Sequence, residues 1–301
     1  MATSQPRAKV MLFDLDGTLY LDGVPYPGAV ELIRKLRDSD LEYCFVTNNS
    51  SIAPPDYCEK LRRIGFPLEP RNVMTSCEAT VHMLRTLGIG PEIYVLGTTK
   101  FRNWMEGQGF RHDFAKAKAL LVGFDKELTY QKLTDATRLV LRGVPIYASH
   151  PDPVCPPDLP DAGMLLEYLK AVRPGTIIQG IAGKPHHWLA EVLEERFGCS
   201  AAEMVMVGDR VGTDMRFAQN AGMRSMMTLN GVHQPPLGDV KPTVIVPHVA
   251  QMLDEFWPSI CKTSSDNHFA FLHFFFWGMV LITASCTNVM ILHPYFFRHL
   301  V

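Results

Sequence analysis

Several sequence signals are absent from this 301-residue chain, and each absence excludes a class of protein. No run rich in lysine and arginine occurs and the formal net charge is −2, so a nucleic-acid-binding surface is not indicated. Internal repeats and low-complexity tracts are also missing, which excludes repeat arrays and compositionally disordered chains. These absences favour a globular protein that acts on a small molecule.

The seven cysteines are scattered along the chain, and no CxxC pair occurs. Their spacing indicates neither a zinc site nor a disulfide framework, and a reducing compartment is the simpler expectation. Residues 1–8 are polar and contain no hydrophobic signal segment. We therefore expect the folded part of the chain in the cytoplasm.

The most informative feature that is present is the string DLDGT at residues 14–18, which follows an apolar run at residues 10–13. Residues two apart in a strand share a face, so Asp14 and Asp16 can converge beyond the carboxyl end of a sheet. Two like charges there repel unless a cation lies between them, and Mg²⁺ suits such a site because it accepts one or two carboxylates. Gly17 allows a tight turn that leaves backbone amides available to an anion.

Three further groups of polar residues supply the other parts of a phosphate site. Thr47 and Asn48 end a second apolar run and are of the type that hydrogen-bonds phosphate oxygens. Lys184, in the string GKP, is a candidate cation. Asp209 and Asp214 follow a third apolar run and bring two more carboxylates to the end of a strand.

The order DLDGT, TNN, GKP and GDRVGTD resembles the haloacid-dehalogenase (HAD) superfamily of phosphohydrolases. The long insert between TNN and GKP, with the string SHPD at residues 149–152, is similar to the 4-nitrophenylphosphatase-like or NagD-like branch, which carries a large α/β cap. The resemblance covers roughly residues 8–257. It implies an α/β fold, with a doubly wound, mainly parallel, Rossmann-like core and an inserted α/β cap domain.

The resemblance assigns catalytic roles position by position. Asp14 corresponds to the nucleophile that forms an aspartyl-phosphate intermediate, and Asp16 to the acid and base of the two steps. Thr47 and the Asn48 amide correspond to the groups that bind the phosphoryl oxygens. Lys184 corresponds to the cation that neutralises charge on both the nucleophile and the phosphate.

The resemblance also implies Mg²⁺ as the cofactor. Its ligands would be the Asp14 and Asp209 carboxylates and the Asp16 carbonyl, while Asp214 would orient the metal-bound water or bind the ion itself. The implied activity is that of a Mg²⁺-dependent phosphomonoesterase acting on a small phosphorylated metabolite. The sequence leaves open a phosphotransferase that uses the same intermediate, a non-catalytic phosphate-ligand-binding protein, and the identity of the ester.

Apolar and amphipathic runs alternate along the chain, as βαβ units require. Outside the insert these runs lie at residues 9–14, 28–38, 42–47, 56–64, 186–197, 204–209, 214–221, 225–229 and 243–246. Inside the insert they lie at residues 93–96, 119–122, 130–142 and 145–148. We predict a catalytic core built from residues 1–77 and 181–257, and a cap domain at residues 78–180.

The predicted cap acts as a lid over the phosphate site, and its candidate substrate-contacting residues are His150 and Asp152. The relatives usually carry Asn at the position of His150. An equally weighted alternative is that residues 150–160, with their five prolines, form only a rigid connection before a predicted helix at residues 162–172. Caps of this type often take part in homodimers in the resembling family, so a homodimer through the cap is one arrangement that the resemblance offers, while the sequence leaves the oligomeric state open.

The C-terminal residues 258–301 have no obvious place in a completed core. No Asp, Glu, Lys or Arg occurs at residues 267–297, and residues 269–292 exceed the ~20 that a membrane-spanning helix requires. A membrane tether that leaves the catalytic part in the cytoplasm is one interpretation. A packed apolar extension and an atypical, poorly folded C-terminus are the others.

Overall fold

The computed structural model describes residues 6–156, 158–230 and 237–252 of the chain. The strands of this part are β1 (Val10–Phe13), β2 (Tyr20–Leu21), β3 (Val24–Pro25), β4 (Glu42–Thr47), β5 (Val73–Thr75), β6 (Glu92–Leu96), β7 (Arg111–His112), β8 (Ala119–Val122), β9 (Ile146–Ala148), β10 (Val154–Cys155), β11 (Leu159–Pro160), β12 (Ile178–Ile181), β13 (Met204–Gly208), β14 (Arg224–Thr228) and β15 (Val244–Val246). The helices are α1 (Ala29–Arg37), α2 (Pro54–Ile64), α3 (Ser76–Thr86), α4 (Thr99–Gly107), α5 (Tyr130–Leu141), α6 (Ala162–Val172), α7 (Trp188–Phe197) and α8 (Arg216–Ala221).

The first sheet is parallel and has the strand order β15-β14-β13-β1-β4-β5. All four residues of β1 are buried, as are all five of β13, because helices cover both faces of a sheet of this kind. The chain leaves β1 toward β4 on one side and later returns to β13 on the other. This confirms the predicted doubly wound, mainly parallel α/β core.

The insert forms a second parallel sheet, with the order β12-β9-β8-β6-β7. Two short antiparallel hairpins complete the described strands. The first, β2-β3, follows the DLDGT string, and the second, β10-β11, projects from the loop after β9. The insert is thus α/β in its own right, as the resemblance implies.

The two sheets share an apolar cluster that includes Leu12 and Met206 of the first sheet and Val95 and Leu121 of the second. Helix α3 lies between them, because it packs on α7 of the core and on α4 of the insert. The insert is therefore joined to the core by buried apolar contact as well as by chain connections. The exact domain boundaries at residues 78 and 180 stay predictions.

The strand order fixes where functional side chains meet. Strand β1 lies between β13 and β4, so the carboxyl ends of these three strands are adjacent at one edge. The winding direction reverses at this point, and open α/β sheets bind their ligands in the crevice formed there. The residues that follow the three strands, Asp14, Asn48 and Asp209, are therefore neighbours.

No helix within the described residues is long and apolar enough to cross a membrane. The predicted tail at residues 258–301, with the candidate span at residues 269–292, lies outside the described residues. Its three interpretations therefore stay as the sequence left them.

Candidate active site

Three carboxylates meet at the edge where β1 and β13 end. Asp14 follows β1, Asp209 follows β13, and Asp214 lies in a π-helical turn at Val211–Met215. One oxygen of each carboxylate lies within 4.8 Å of the others. Asp14 lies 195 positions before Asp209 in the sequence, and the parallel pairing of β1 with β13 brings these two residues together.

Two glycines make room for this cluster. A Cβ at Gly17, where φ is +93°, would lie 2.7 Å from a carboxylate oxygen of Asp209. A Cβ at Gly208 would lie 2.4 Å from the Asp214 side chain. These contacts are shorter than any side chain tolerates, so the close approach of the acids depends on glycine at both positions.

Lys184 lies between two of the acids and is buried. Its Nζ donates to Asp14 Oδ1 and to Asp214 Oδ1, each at 2.6 Å, and to the Val46 carbonyl at 3.2 Å. Burial opposes the lysine charge, but Asp14 and Asp214 outweigh it and raise the pKa of Lys184 above its usual range. The lysine is therefore held as a cation against the predicted nucleophile.

One cation does not balance three carboxylates, and Lys184 donates to Asp14 and Asp214 but not to Asp209. Thr18 Oγ1 donates to Asp209 Oδ1 at 2.9 Å. Burial, followed by repulsion from Asp14 and Asp214, raises the pKa of Asp209 well above its usual range. A buried set of oxygen ligands with uncompensated negative charge fits a hard divalent cation.

Asp16 faces a different group of partners. Tyr20 donates its hydroxyl to Asp16 Oδ2 at 3.3 Å, and Lys60 Nζ lies 3.9 Å from Asp16 Oδ1. Burial raises the pKa of Asp16 against the opposing effect of Lys60, and Asp14 adds to the rise. The Asp16 carboxylate thus stands beside the acidic cluster, and its predicted contribution to metal binding is through the backbone carbonyl.

Thr47 and Asn48 lie at the end of β4. They line a cleft that Asp14, Asp16 and Lys184 also line. The Asn48 side chain accepts from the Lys184 amide at 2.8 Å, and donates to the Lys184 carbonyl at 2.9 Å and to Asp152 Oδ2 at 2.7 Å. Because the side chain is engaged in this way, the predicted phosphate contact of Asn48 depends on its backbone amide. The side chain instead links the loop that carries Lys184 to the loop after β9 that carries Asp152, the cap loop.

Asp152 is one of the cap-loop residues that reach the cleft. Besides accepting from Asn48, its carboxylate lies 3.7 Å from Arg210 Nη1, and Arg210 also donates to the Val154 carbonyl at 3.4 Å. The cleft is lined by Asp14, Asp16, Thr47, Asn48, Asn49, Asp152, Val154, Cys155, Pro156, Asp161, Lys184, Arg210 and Thr213. Core and cap residues thus enclose one polar space.

The structure places His150 elsewhere, and the expectation of a substrate contact is corrected for this residue. The imidazole is completely buried and is absent from the cleft lining. Its Nδ1 is 2.8 Å from Ser149 Oγ, and its Nε2 is 2.8 Å from Asp161 Oδ1. Burial lowers the pKa of His150, but Asp161 outweighs burial and raises it overall. His150 therefore supports the cap loop from within.

Several residues at the site were not predicted from the sequence. Thr18 and Arg210 lie inside the strings DLDGT and GDRVGTD, so attention to every polar member of each string would have found them. Tyr20 lies two residues beyond the first string. Lys60 lies on α2, far from any motif, and no signal in the sequence points to it.

Comparison with known families agrees with this geometry. A family model described as haloacid dehalogenase-like hydrolase matches residues 11–111, and a second HAD-hydrolase-like model matches residues 181–252. The two matches include Asp14, Thr47, Lys184 and Asp209. Together they cover more than half of the chain.

Two curated relatives are phosphatases. Glycerol-3-phosphate phosphatase of Gallus gallus is 32% identical over 250 residues, which is 74% of this chain and 80% of the relative. The 5'-nucleotidase YutF of Bacillus subtilis is 31% identical over 228 residues, which is 74% of this chain and 88% of the relative.

A solved structure agrees as well. The 4-nitrophenylphosphatase of Thermotoga maritima aligns with a TM-score of 0.76 and 35% identity, over 81% of this chain and 96% of that one. The branch that the four motifs indicate is thereby confirmed. With its acidic cluster, buried lysine and cap, the chain belongs to the haloacid dehalogenase-like hydrolases and is a phosphatase of that family.

Proposed function

We propose that the protein is a Mg²⁺-dependent phosphomonoesterase that hydrolyses a small phosphorylated metabolite through an aspartyl-phosphate intermediate. The observation that carries this proposal is the division of roles between two neighbouring acids. Asp14 is held by Lys184 and faces the acidic cluster, while Asp16 lines the same cleft but has its own partners. A nucleophile and a separate proton carrier are the two groups that the reaction needs.

In the first step, a carboxylate oxygen of Asp14 attacks phosphorus and forms the aspartyl-phosphate bond. The bond from phosphorus to the ester oxygen breaks, and the protonated Asp16 carboxyl gives its proton to the departing alcohol. The raised pKa of Asp16 fits a carboxyl that can hold a proton for this purpose. Lys184 and the Thr47 hydroxyl stabilise the charge on the transferring group.

In the second step, water attacks the same phosphorus atom and passes a proton to the Asp16 carboxylate. The bond between phosphorus and the Asp14 oxygen breaks, which releases inorganic phosphate and restores the free Asp14 carboxylate. Asp16 is protonated again and ready for the next substrate. Lys184 stays paired with Asp14 and limits the build-up of negative charge as the carboxylate is released.

The residues that would hold Mg²⁺ are Asp14, Asp209 and Asp214, with the Asp16 carbonyl as a further oxygen ligand. The uncompensated charge of this buried cluster supports the assignment. When bound, the ion supplies positive charge that polarises a phosphoryl oxygen. Thr18 would hold the Asp209 carboxylate in place for that purpose, since its hydroxyl donates to it.

The substrate is small because the cap loop encloses the cleft. Asp152 and the two residues of β10, Val154 and Cys155, line the cleft together with the catalytic residues. The relatives are named for different phosphate esters, so the cap loop of this chain is where we place its selectivity. Asp152 is the substrate-contacting candidate that remains after the correction of His150.

We further propose that the protein works in the cytoplasm as a homodimer that associates through the cap. Its seven scattered cysteines fit a reducing compartment. The insert exposes a set of large apolar side chains that a second copy would cover, namely Leu128, Tyr130, Leu141, Leu159, Met164, Tyr168 and Ile177. Light scattering coupled to size exclusion tests this, and a monomer at micromolar concentration would contradict it.

We propose no nucleic-acid partner, and a membrane tether would depend on residues 269–292 alone.

The test of the function is release of inorganic phosphate from a panel of phosphomonoesters by the full-length protein, with Mg²⁺ and with a chelator. We expect release that requires metal and that falls at least about 10³-fold in Asp14→Asn, which removes the nucleophile while it keeps the side-chain size. Folding of the variant is checked by circular dichroism. Inorganic phosphate that falls short of the product alcohol when a second alcohol is added as acceptor would indicate a phosphotransferase, and a folded protein silent on the whole panel would indicate a binding role.

A further inference from the structure

Asp16 is supported by two residues from outside the catalytic strings. The hydroxyl of Tyr20 donates to Asp16 Oδ2 at 3.3 Å and accepts from Lys60 Nζ at 2.8 Å. Lys60 Nζ is itself 3.9 Å from Asp16 Oδ1. The three groups form a closed triangle in which each carboxylate oxygen of Asp16 faces one donor.

The Tyr20 side of this triangle is rigid. Its side chain is completely buried and its ring packs 6.5 Å from the ring of Phe66. The backbone carbonyl of Tyr20 accepts from the Gly17 amide at 2.9 Å, and Asp16 forms an isolated bridge with Tyr20. The hydroxyl therefore has one position relative to the Asp16 carboxyl.

The Lys60 side is positioned by aromatic rings. Its Nζ lies 4.7 Å from the centre of the Tyr20 ring and 5.4 Å from that of Tyr57. Such cation–π contacts hold an ammonium group at a defined place on an otherwise flexible stem. The Lys60 side chain is one-third exposed, so it reaches the triangle from the rim of the site.

The two acids of the proposed mechanism thus have separate cations. Lys184 serves Asp14, at 2.6 Å, and Lys60 faces Asp16. If one lysine served both, each carboxyl would be drawn toward the same point and could not face the nucleophilic and leaving sides of one phosphorus atom. Separate partners keep the two carboxyls apart.

We propose that Tyr20 and Lys60 are positioning residues that hold the Asp16 carboxyl toward the leaving-group oxygen. This role rests on the proposed phosphatase mechanism, in which Asp16 protonates the departing alcohol. Neither residue is among those that line the cleft, and both reach the Asp16 carboxyl directly, so we assign them a role through Asp16. Their effect on turnover is transmitted through the orientation of Asp16.

A misplaced acid affects poor leaving groups more than good ones, because a good leaving group departs with little help from a proton. Phenyl phosphate and 4-nitrophenyl phosphate differ only in the nitro group, which makes nitrophenolate the better leaving group. We expect Tyr20→Phe and Lys60→Met to lower kcat/KM for phenyl phosphate about tenfold or more, and for 4-nitrophenyl phosphate by less than about threefold. Lys60→Arg keeps the charge and is expected to recover most of the loss.

The matched control is Lys9→Met, which removes an ion pair with Glu203 at the start of β1, outside the cleft. We expect it to leave both esters unaffected. An equal loss on both esters, or no loss on either, in folded Tyr20→Phe and Lys60→Met proteins would overturn the positioning role. A wild-type protein that releases phosphate from neither ester would instead overturn the proposed function, and with it the need for this role.

Discussion

The catalytic loops and the cap loop face each other across one cleft, but they use their polar side chains in different ways. In the catalytic loops, which follow β1, β4, β12 and β13, the buried Lys184 donates to two of the three clustered acids, and burial together with repulsion from Asp14 and Asp214 raises the pKa of Asp209. In the cap loop, residues 149–161, His150 and Asp152 have partners on both polar ends. The catalytic loops keep charge available for a ligand, whereas these polar groups of the cap loop are already paired with other protein side chains.

Removing the cation from the catalytic loops is expected to have the largest effect. Lys184→Met leaves Asp14 and Asp214 buried without their shared partner, which costs about 3–5 kcal/mol of unfolding free energy, and phosphate release is lost. Urea denaturation with a chelator present measures the stability. Lys9→Met, an exposed pair, is the control and is expected to change little. Equal stability of Lys184→Met and wild type would contradict the account of this site.

Removing Asp209, one of the mutually repelling acids, is expected to lower activity without lowering stability. Asp209→Asn keeps an oxygen that accepts from Thr18 but removes one negative charge from the cluster. Without metal, the unfolding free energy should be equal to or higher than that of the wild type, because the ionised Asp209 opposes folding when its pKa is raised. Phosphate release with Mg²⁺ should fall at least about 100-fold.

The measurements for Asp209→Asn are denaturation in chelator and phosphate release in Mg²⁺. A variant that is both inactive and clearly less stable in chelator would show that Asp209 is a structural residue. That result would remove the contrast between the two sides of the cleft.

Removing the Asp152 carboxylate from the cap loop is expected to lower the unfolding free energy, in contrast to Asp209→Asn. Asp152→Ala takes away the acceptor of Asn48 and the ion-pair partner of Arg210. Leaving the buried Asn48 donor without that acceptor costs about 1–3 kcal/mol of unfolding free energy. Asp152→Asn keeps an acceptor oxygen and should cost less. If denaturation found the alanine variant as stable as the wild type, Asp152 would not tie the cap to the core.

The smallest expected effect is a pH dependence from His150. Its pKa is raised in the folded protein because the Asp161 carboxylate outweighs burial. Protonated His150 therefore adds stability that is complete below its unfolded pKa of about 6.5 and is lost as the pH rises through the higher folded value. His150→Asn introduces the residue that is usual in the branch and should remove this pH-dependent stabilisation.

Urea denaturation of both proteins at several pH values checks this prediction. The difference in unfolding free energy between wild type and His150→Asn should shrink as the pH rises above about 6.5. A difference that grows with pH would mean that the neutral imidazole is the stabilising form.

Much of the fold was predictable because its signals are local. Strand β4 has the predicted bounds at residues 42–47, and α6 has the predicted bounds at residues 162–172. Continuous apolar runs and amphipathic periods arise from a few neighbouring residues. The hairpins β2-β3 and β10-β11 were missed, since strands of two residues carry no period that a sequence pattern could show.

The site was predictable to the extent that its residues lie in strings. Asp14, Thr47, Lys184 and Asp209 are brought together as expected, because each follows or lies near a strand end. The partners of these residues were not predictable. The Asn48 side chain bonds Lys184 and the cap instead of facing open space, and a hydrogen-bond partner is set by three-dimensional proximity.

The sequence by itself determined the α/β class, the alternation of the main strands and helices, the family and the residues at the strand ends, since all of these follow from local pattern and motif order. Only the tertiary structure decided which polar groups pair. His150, which the sequence predicted as a substrate contact, is a buried residue that supports the cap loop. Lys60 of α2 lies beside Asp16, from which it is 44 positions away in the chain. The physical reason is that electrostatic and hydrogen-bond energies depend on distances of a few ångströms between residues from different elements, which no local run of sequence encodes.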